Sequence, residues 1–381
     1  MTHHWRYKDL RPYKVGLHLS NRGYKVCLLL PGRRLTLGYR KKVVNGDFSL
    51  YFCPTILPRG LKKGSDPLDL LTKLYLMRTL RYDCIFAFDS RPTVILPAVH
   101  GKWVKRVPLI VDWTDWFGRG GIISERSGRL YRFFFEKIET FFEEHFRLQA
   151  DSSTVICAPL GKRLRDMGYE KQIHDFPLGC DPVVDRGGDI LSRRGELNLP
   201  TDVRLIGCVG SLLASDAALL FESFEIVRSR LNAGLLLIGD NGLKQRKRTP
   251  YGTLQTGRVT REDLQRYLQC CDLVVLPLRN NIANNGRWPS KLNDYLVMGK
   301  PVVSTEISIV TELLKIHKFG VLAKDTPEDF AEKIYDLLMD PERLDAYGCE
   351  ALRLASNHLS WPEVIDRLDD FIRETPAALT A

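Results

Sequence analysis

Apolar residues along the chain fall into short continuous runs that alternate with segments of helical periodicity. The runs are bounded by Gly, Pro or Asp, which is typical of strands buried on both faces of a parallel sheet. They are YKVCLLL, FSLYFC, YDCIFAF, VPLIVDW, STVIC, RLIGCVGS, GLLLIGD, DLVVLPL and KPVVST. Helical periodicity is found at 66–80, 126–148, 216–230, 261–270, 290–299, 326–339, 341–355 and 361–374. This alternation predicts an α/β protein with doubly wound sheets.

A polar segment of low apolar content, 182–202, separates two such series. It predicts two Rossmann-like domains, 1–184 and 185–360, and a C-terminal helical segment, 361–381, that crosses back to the first domain. The first domain opens with a helical pattern, and its first strand-like run begins only near Tyr24. We therefore expect this domain to lack its first strand, either because translation starts upstream or because the strand has been lost.

The composition, 44% hydrophobic and 27% charged, is ordinary for a globular protein. No apolar run approaches the ~18–20 residues of a membrane-spanning helix, and the first residues lack the apolar core of a signal peptide. The nine cysteines show neither CxxC pairs nor the spacing of a secreted disulfide scaffold. These features predict a cytoplasmic protein with reduced thiols and no metal site.

The positive charge is concentrated in the first part of the chain. Residues 1–150 hold 27 Lys and Arg against 13 Asp and Glu, and residues 1–50 alone hold 11 against 2. Such a surplus predicts an anionic partner: nucleic acid, a membrane surface or a phosphate-bearing substrate. Nucleic acid is disfavoured because no basic–aromatic motif of a known reader is present. A merely solvated basic surface remains an alternative.

The segment NNGRWPSKLNDYLVMGKPVVS, residues 284–304, holds the main candidate site. It follows the run DLVVLPL, and ligands of open α/β sheets bind beyond the carboxyl ends of the strands, where helix N-termini present N–H groups. Ser290 is the expected N-cap, which puts the Lys291 ammonium beside the positive helix end unless an anion joins them. A diphosphate fits, with Arg287 as a second cation. Asp294 suits the two hydroxyls of a ribose, although a capped surface helix with incidental charges is the alternative.

Three further turns follow strand-like runs in the same domain. IGCVGS places Gly210 and Ser211 between a strand and a helix, and GLLLIGDNG and QTGRVTREDL are similar units. Their glycines let the backbone approach a ligand closely. Four such turns in one domain favour phosphate binding more than any of them does alone.

Together these motifs, over residues 205–304, resemble the donor-binding half of retaining GT-B glycosyltransferases of family four, the glycosyl transferases group 1. FPLGCDP at 176–182 resembles the junction that this family places between its domains. The resemblance implies a GT-B fold, with two Rossmann-like domains facing a cleft. It also implies a diphosphate site at Ser290, Lys291 and Leu292, a ribose site at Asp294, and a base site at the backbone of Gly257, Arg258 and Val259.

The chain departs from the family pattern at three positions. Gly286 stands where the family often carries the first of two glutamates, and Ser211 and Ala217 stand where it carries Arg and Lys. These departures leave the phosphate charge to Lys291 and Arg287.

The first half offers VPLIVDWTDWFGRGGIISER, a strand that ends in acidic and aromatic residues. Carboxylates suit sugar hydroxyls and indole faces suit sugar C–H surfaces, so we predict an acceptor site at Asp112, Trp113 and Arg119. By resemblance, Asp115 lies near the junction of sugar and acceptor, and we predict catalytic roles for Asp115 and Lys291. An aromatic core with a strand-end cap is the alternative.

The segment RLYRFFFEKIETFFEEHFR, residues 129–147, predicts a helix with a broad aromatic stripe and glutamates on the opposite face. We expect the stripe to pack in the core, because a membrane-facing helix of this kind should carry Lys and Arg on its polar face. The basic residues of 1–63, such as Lys41, Lys42, Lys62 and Lys63, are better candidates for an anionic membrane surface.

These features predict a hexosyltransferase that moves a sugar, with retention, from a nucleoside-diphosphate-sugar to a hydroxyl of a glycan or polyprenyl-linked acceptor. We expect no cofactor or metal, a role in polysaccharide or glycolipid biosynthesis, and peripheral association with the inner face of the cell membrane. Two alternatives are a catalytically silent protein that assists another transferase and a nucleotide-sugar epimerase.

Overall fold

The structure is a computed structural model that describes residues 1–2, 10–32, 35–36, 38–58, 64–126, 128–183, 189–240 and 249–375. Contacts divide the chain into two compact units. The first comprises Met1–Leu178, Gly286–Trp288 and Trp361–Ala381, and the second comprises Gly179–Asn285 and Pro289–Ser360. Lys62 and Lys63 lie outside the described residues.

The first unit contains two sheets with flanking helices. Its strands are β1 (Val26–Pro31), β2 (Arg40–Val43), β3 (Phe48–Cys53), β4 (Ile85–Ala87), β5 (Leu109–Trp113), β6 (Ser152–Val155) and β7 (Gln172–Asp175). Its helices are α1 (Arg11–Ser20), α2 (Pro67–Thr79), α3 (Pro92–Lys105), α4 (Ile122–Arg126), α5 (Arg129–His145) and α6 (Ala158–Asp166), with a 3-10 turn at Phe146–Gln149. Strands β4–β5–β6–β7 form a parallel sheet in sequence order. The order β1–β3–β2 forms a second sheet, in which β2 runs antiparallel to β3.

The second unit is built around a six-stranded parallel sheet in the order β10–β9–β8–β11–β12–β13. Its strands are β8 (Arg204–Val209), β9 (Ala233–Ile238), β10 (Thr253–Gln255), β11 (Leu273–Leu276), β12 (Val302–Thr305) and β13 (Gly320–Ala323). Its helices are α7 (Ile190–Glu196), α8 (Ala214–Arg230), α9 (Arg261–Gln269), α10 (Ile282–Asn285), α11 (Lys291–Val297), α12 (Ser308–Ile316), α13 (Pro327–Leu338) and α14 (Pro341–Asn357). The prediction of an α/β protein with two Rossmann-like domains is confirmed.

No strand precedes α1 among the described residues of the first unit. Instead, the Thr2 N–H donates to the Leu29 carbonyl in β1 over 3.3 Å, and the Phe88 N–H donates to the Met1 carbonyl over 3.0 Å. The dipeptide Met1–Thr2 therefore lies between β1 and the end of β4, where a central strand would join the two sheets.

A final helix, α15 (Trp361–Glu374), belongs to the first unit by its contacts. Its apolar face, which includes Trp361 and Leu368, packs against Val15 of α1 in one buried cluster. Arg22 pairs with Asp366 at the edge of this contact. In the described part of the chain, no helix is long and apolar enough to span a membrane.

Helix α5 turns its aromatic face towards solvent, whereas the sequence predicted that this face is buried. The side of the helix that faces solvent carries large apolar residues, namely Leu130, Phe133, Phe134, Phe135, Ile138 and Phe141. Glu143, from the opposite face, is only 2% exposed and accepts hydrogen bonds from the N–H groups of Phe117 and Gly118 over 2.8 and 2.6 Å. The expectation that the aromatic stripe packs in the core is wrong, because buried backbone donors draw the glutamate face inward.

Candidate functional site

The carboxyl ends of β8, β9 and β10 are followed by glycines with left-handed backbone conformations. Gly210, Gly239 and Gly257 have φ angles of 75°, 93° and 67°. A Cβ on Gly239 would lie 3.8 Å from the Gly210 nitrogen, and Gly239 pairs with Gly257 in an antiparallel bridge. The three turns therefore meet in a surface made of backbone, which a ligand can approach closely.

Tyr295 fixes α11 against this edge of the sheet. Its hydroxyl accepts a hydrogen bond from the Val209 N–H over 2.9 Å and donates one to the Val275 carbonyl over 3.2 Å. The ring is fully buried, so the first turn of α11 is held beside the ends of β8 and β11. Sequence reasoning missed this residue, although its place one turn after Lys291 gives it that position.

Lys291 lies at the start of α11, and its ammonium nitrogen is buried. No group in the described part of the chain forms a hydrogen bond with that nitrogen. Burial raises the pKa of the Cys208 thiol in β8, and the charge of Lys291 acts in the opposite direction, which puts the ammonium near the end of β8. A buried cation without a partner is costly, so this position favours an anionic ligand.

Ser290 occupies the N-cap position of α11 but does not cap it through its side chain. Its backbone is helical, with φ −54° and ψ −29°, so the turn already begins at Pro289, whose carbonyl accepts from the Leu292 N–H over 2.8 Å. The Leu292 side chain is fully buried. Both residues shape the turn that carries Lys291.

Asp294 follows within the first turn of the same helix. Burial raises the pKa of its carboxyl group to about 6, with Arg261 opposing the shift and Asp181 adding to it. Asp181 and Arg261 form an ion pair of 3.0 Å. The carboxyl group therefore lies in a poorly solvated place, where hydroxyl donors from a ligand would stabilise its charge.

The predicted base-facing segment begins at the Gly257 turn. The Thr256 hydroxyl accepts from the Gly239 N–H and donates to the Gly257 carbonyl, both over 3.0 Å, and so joins the two turns. Arg258 is exposed and Val259 half-buried. Thr256, which sequence reasoning missed, thus sets the backbone that the prediction assigns to the base.

Two of the residues at which the sequence departs from the family pattern lie at or just before the start of α8. Ser211 is exposed beside Gly210, and Ala217 is fully buried. Asp216, which sequence reasoning did not select, is buried and accepts the Arg279 N–H over 3.0 Å. This contact joins the first turn of α8 to the loop after β11.

Asp112 and Trp113 were predicted to bind the acceptor, but the structure places both in the core of the first unit. The Asp112 carboxylate pairs with Arg11 over 2.9 Å and accepts the Thr154 hydroxyl over 2.6 Å. Trp113 is fully buried, with the Arg147 guanidinium 4.4 Å from its ring centroid. Their position on β5, buried on both faces, keeps them from a surface that an acceptor could reach.

Asp115 and Arg119 are exposed in the loop after β5. The Arg119 N–H donates to the Thr140 hydroxyl of α5 over 3.0 Å, and Glu143 holds the two residues before it. Asp115 pairs with Arg287 in an antiparallel bridge, within the segment 286–288 that groups with the first unit. The structure thus brings together Asp115 and Arg287, which the sequence had assigned to separate sites.

No cluster of three or more metal-ligating side chains occurs in the ranges that the structure describes.

Residues 203–340 match the family model described as glycosyl transferases group 1. TuaC of Bacillus subtilis (strain 168), named a putative teichuronic acid biosynthesis glycosyltransferase, is 26% identical over 210 residues, or 52% of each chain. The match thus spans about half the length of this relative. Sucrose-phosphate synthase from Thermosynechococcus elongatus superposes with a TM-score of 0.71 at 13% identity, covering 95% of this chain and 92% of that one. HepE of Anabaena, in complex with UDP and glucose, gives a TM-score of 0.62 at 14% identity, covering 94% and 95%.

The fold is therefore the GT-B fold of these structures. Residues 203–340 are similar to the glycosyl transferases group 1 family, the family that the motifs of this segment resemble.

Proposed function

We propose that this protein is a glycosyltransferase that moves a hexosyl group from a nucleoside-diphosphate-sugar to a hydroxyl acceptor. The observation that carries the proposal is the buried, unpartnered ammonium of Lys291, since no other described group hydrogen-bonds with it. It lies in the unit whose backbone surface is formed by Gly210, Gly239 and Gly257. A diphosphate brings the negative charge that the ammonium lacks and accepts hydrogen bonds from backbone N–H groups.

Two further features of the same unit support a site for the nucleoside. The Asp294 carboxyl group accepts the ribose hydroxyls, and the backbone of Gly257, Arg258 and Val259 faces the base. HepE was solved with UDP and glucose, which makes uridine diphosphate and its glucose ester the first ligands to test.

In the reaction, the bond between the sugar C1 and the diphosphate oxygen breaks while C1 bonds to the acceptor oxygen. The electron pair of the broken bond leaves with the diphosphate, and the acceptor proton passes to a basic oxygen of the site. Lys291 stabilises the charge that develops on the leaving diphosphate. Asp115 and Arg119 position the acceptor. Retention of configuration rests on the family resemblance. Independence from metal ions is proposed because the positive end of α11 and Lys291 would take the place of a divalent cation.

The acceptor is a glycan or a polyprenyl-linked sugar, and the pathway makes a polysaccharide or glycolipid. The name of TuaC, a putative teichuronic acid biosynthesis glycosyltransferase, supports this assignment. The excess of Lys and Arg in residues 1–150 supports an anionic acceptor or an anionic membrane surface around it.

A catalytically silent nucleotide-sugar-binding protein is the second candidate. It is favoured by Gly286, Ser211 and Ala217, which stand where the family carries charged residues. An epimerase is less favoured, because its chemistry needs acids on both sides of the sugar and Gly286 supplies none.

The test begins with the purified chain, a panel of nucleoside diphosphates and their sugars, and the melting temperature as the readout. A ligand that binds the native state raises that temperature by mass action. Release of the diphosphate is then measured with and without acceptor, and with and without EDTA. No stabilisation by any nucleotide would contradict the proposal, binding without turnover would favour the silent protein, and a changed sugar without transfer would favour the epimerase.

A further inference from the structure

The inference concerns the outward face of α5, defined here as the exposed residues of that helix. Its apolar members include Phe133, which is 78% exposed, and continue along the helix to Phe141. Monomeric proteins in water rarely leave so many large side chains of one helix uncovered. The apolar side of a helix is normally its buried side, so we expect another molecule or surface to cover the outward face.

The charges on the outward face are of one sign. Arg129 and Lys137 are exposed cations. The ring of His145, also exposed, stacks on Phe141 with centroids 5.0 Å apart. Three of the four glutamates of α5 are buried or held by cations, and the fourth, Glu136, is half-buried. Glu143 is buried, and Glu139 and Glu144 pair with Arg91 and Arg163.

We propose that the outward face of α5 docks on an anionic lipid bilayer, with its aromatic rings at the boundary of headgroups and acyl chains and its cations at lipid phosphates. Helices of this kind lie in the plane of the interface, where apolar burial and attraction to anionic lipids add. This surface is distinct from the basic residues of 1–63, for which the sequence predicts attraction to a membrane through charge alone.

A second copy of this chain fits the outward face less well. At a two-fold interface the same surface meets itself, so Arg129 and Lys137 would face like charges. The helix offers no fully exposed acid to neutralise them, because Glu136, Glu139 and Glu144 are half-buried and Glu143 is buried. An anionic bilayer satisfies the apolar and the cationic members of the face together.

Neighbouring residues of α3 have the same character. Lys102 donates to the Gln149 carbonyl over 2.7 Å, in the 3-10 turn that continues from α5. The next residues, from Trp103 to Arg106, are all exposed and include Lys105. Trp and Lys are residues that favour the membrane interface.

The test is flotation of the full chain with vesicles of phosphatidylglycerol and phosphatidylcholine, compared with phosphatidylcholine alone. We expect wild type to float with the anionic vesicles, and Phe133→Ser with Phe134→Ser to weaken binding by about tenfold per ring removed. Ile316→Ser is the matched control, because Ile316 is 76% exposed but belongs to the second unit. It should float like wild type.

Three results would overturn the proposal: no flotation of wild type with anionic vesicles, full binding by the double variant, or an equal loss in the Ile316→Ser control. A wild type that sediments as a dimer and a double variant that sediments as a monomer, with no vesicle binding, would assign the face to a second copy. A face covered by another segment of this chain would give neither vesicle binding nor a dimer. Phe133→Trp adds a direct readout, since brominated lipids should quench its fluorescence beyond the quenching seen in wild type.

The same samples separate this inference from the proposed function. Stabilisation by uridine diphosphate should be equal in wild type, the double variant and the control, because the substituted rings lie on α5 in the other unit. If wild type binds the nucleotide but not the vesicles, only the membrane inference fails. If wild type binds the vesicles but not the nucleotide, only the transferase proposal fails.

Discussion

At the scale of single residues, Lys291 combines a buried positive charge with the lack of a hydrogen-bond acceptor in the described part of the chain. Its ammonium nitrogen is buried, has no hydrogen-bond partner among the described residues, and begins a helix of only seven residues. Such a group gains stability only when a ligand supplies the opposite charge.

Replacing Lys291 by Ala should therefore weaken nucleoside-diphosphate binding without lowering the melting temperature of the ligand-free protein. Loss of one charge-assisted contact is worth about 1.5–3 kcal/mol, or ten- to a hundredfold in affinity. Titration calorimetry gives the affinity, and Lys315→Ala, at an exposed lysine of the same unit, is the control. Unchanged affinity in Lys291→Ala would remove this residue from the site.

Asp294→Asn should weaken the binding of ribose-containing diphosphates far more than that of ribose-free analogues. In the proposed site the carboxylate accepts both ribose hydroxyls, whereas the amide would accept at one end only. Because the pKa of this carboxyl group is about 6, nucleotide binding by wild type should also weaken as the pH falls through 6. Equal losses for both ligand types would show that Asp294 has no ribose role.

Asp294→Asn also tests the raised pKa of the Asp294 carboxyl group, through the pH dependence of the free energy of unfolding. The folded-state pKa is raised from 3.8, so between pH 3.8 and about 6 the folded protein holds a proton that the unfolded chain has released. The ionised group therefore destabilises the fold increasingly as the pH rises through this window, by up to about 3 kcal/mol above it. Asp294→Asn should raise the free energy of unfolding at pH 7.5 and leave it nearly unchanged at pH 3.5. An effect independent of pH would contradict this account.

At the scale of elements, α5 and the loop after β5 form one hydrogen-bonded assembly. The Glu143 carboxylate accepts from the Phe117 and Gly118 N–H groups and from the Trp113 indole over 3.0 Å. It also lies 3.6 Å from the Arg163 guanidinium. Burial raises the pKa of this carboxyl group, and Arg147 opposes the shift most strongly. A network of this kind is stable only when every member is paired.

Glu143→Ala should cost about 3–5 kcal/mol in the free energy of unfolding, because it leaves buried donors and a buried cation without their acceptor. Glu144→Ala is the matched control. Glu144 is the next residue of the same helix and also pairs with Arg163, but its side chain is 41% exposed. Its loss should cost at most about 1 kcal/mol. Urea denaturation of the two variants checks the difference, and similar costs would contradict it.

The periodicity of apolar residues predicted which segments form helices and strands better than it predicted which face of a helix is buried. The nine apolar runs became strands, but four further strands, β2, β7, β10 and β13, lie outside those runs. Strand β2 was missed because RKKV is polar and fully exposed. Helix α3 was missed because Pro97 interrupts its pattern. The aromatic stripe of α5 was recognised, yet its periodicity cannot tell an outward apolar face from an inward one. The inward direction is set by contacts 26 positions away in the chain, such as that of Glu143 with Phe117.

The candidate site shows the same division. Lys291, Gly210 and Gly257 could be placed near strand ends from the sequence because strand-end turns have a recognisable local sequence. Their role in binding stays a prediction. Asp112 was assigned to the acceptor site because its pairing with Arg11 could not be foreseen. Arg11 lies 101 positions away in the chain, and no local sequence pattern indicates such a pair. The GT-B fold came from the order of several motifs, each of them weak by itself.

At the scale of the whole molecule, the uneven charge should govern attraction to anionic surfaces. Lys41 and Lys42 lie on β2, all of whose residues are exposed. Reversing both to Glu should weaken binding to anionic vesicles at low salt by at least about 2 kcal/mol. Added salt should release wild type.

The control for this prediction is charge reversal at Lys315 and Lys318, two exposed residues of the second unit. It changes the net charge of the molecule equally. Equal losses in the two double variants would show that net charge alone drives the attraction, and would remove β2 from the membrane-facing surface. Affinity for uridine diphosphate should stay unchanged in both.

Helix α5 also has a kinetic consequence. It carries its aromatic rings outward and, through Glu143, holds the amides of Phe117 and Gly118, two and three residues after Asp115. A molecule docked through α5 would hold the Asp115 loop one helix diameter, ~10 Å, from the lipid surface and would meet a lipid-linked acceptor by lateral diffusion. The rate of transfer should then follow the mole fraction of acceptor in the bilayer and fall when inert lipid is added at constant bulk acceptor. A short, water-soluble acceptor should show no such surface dilution.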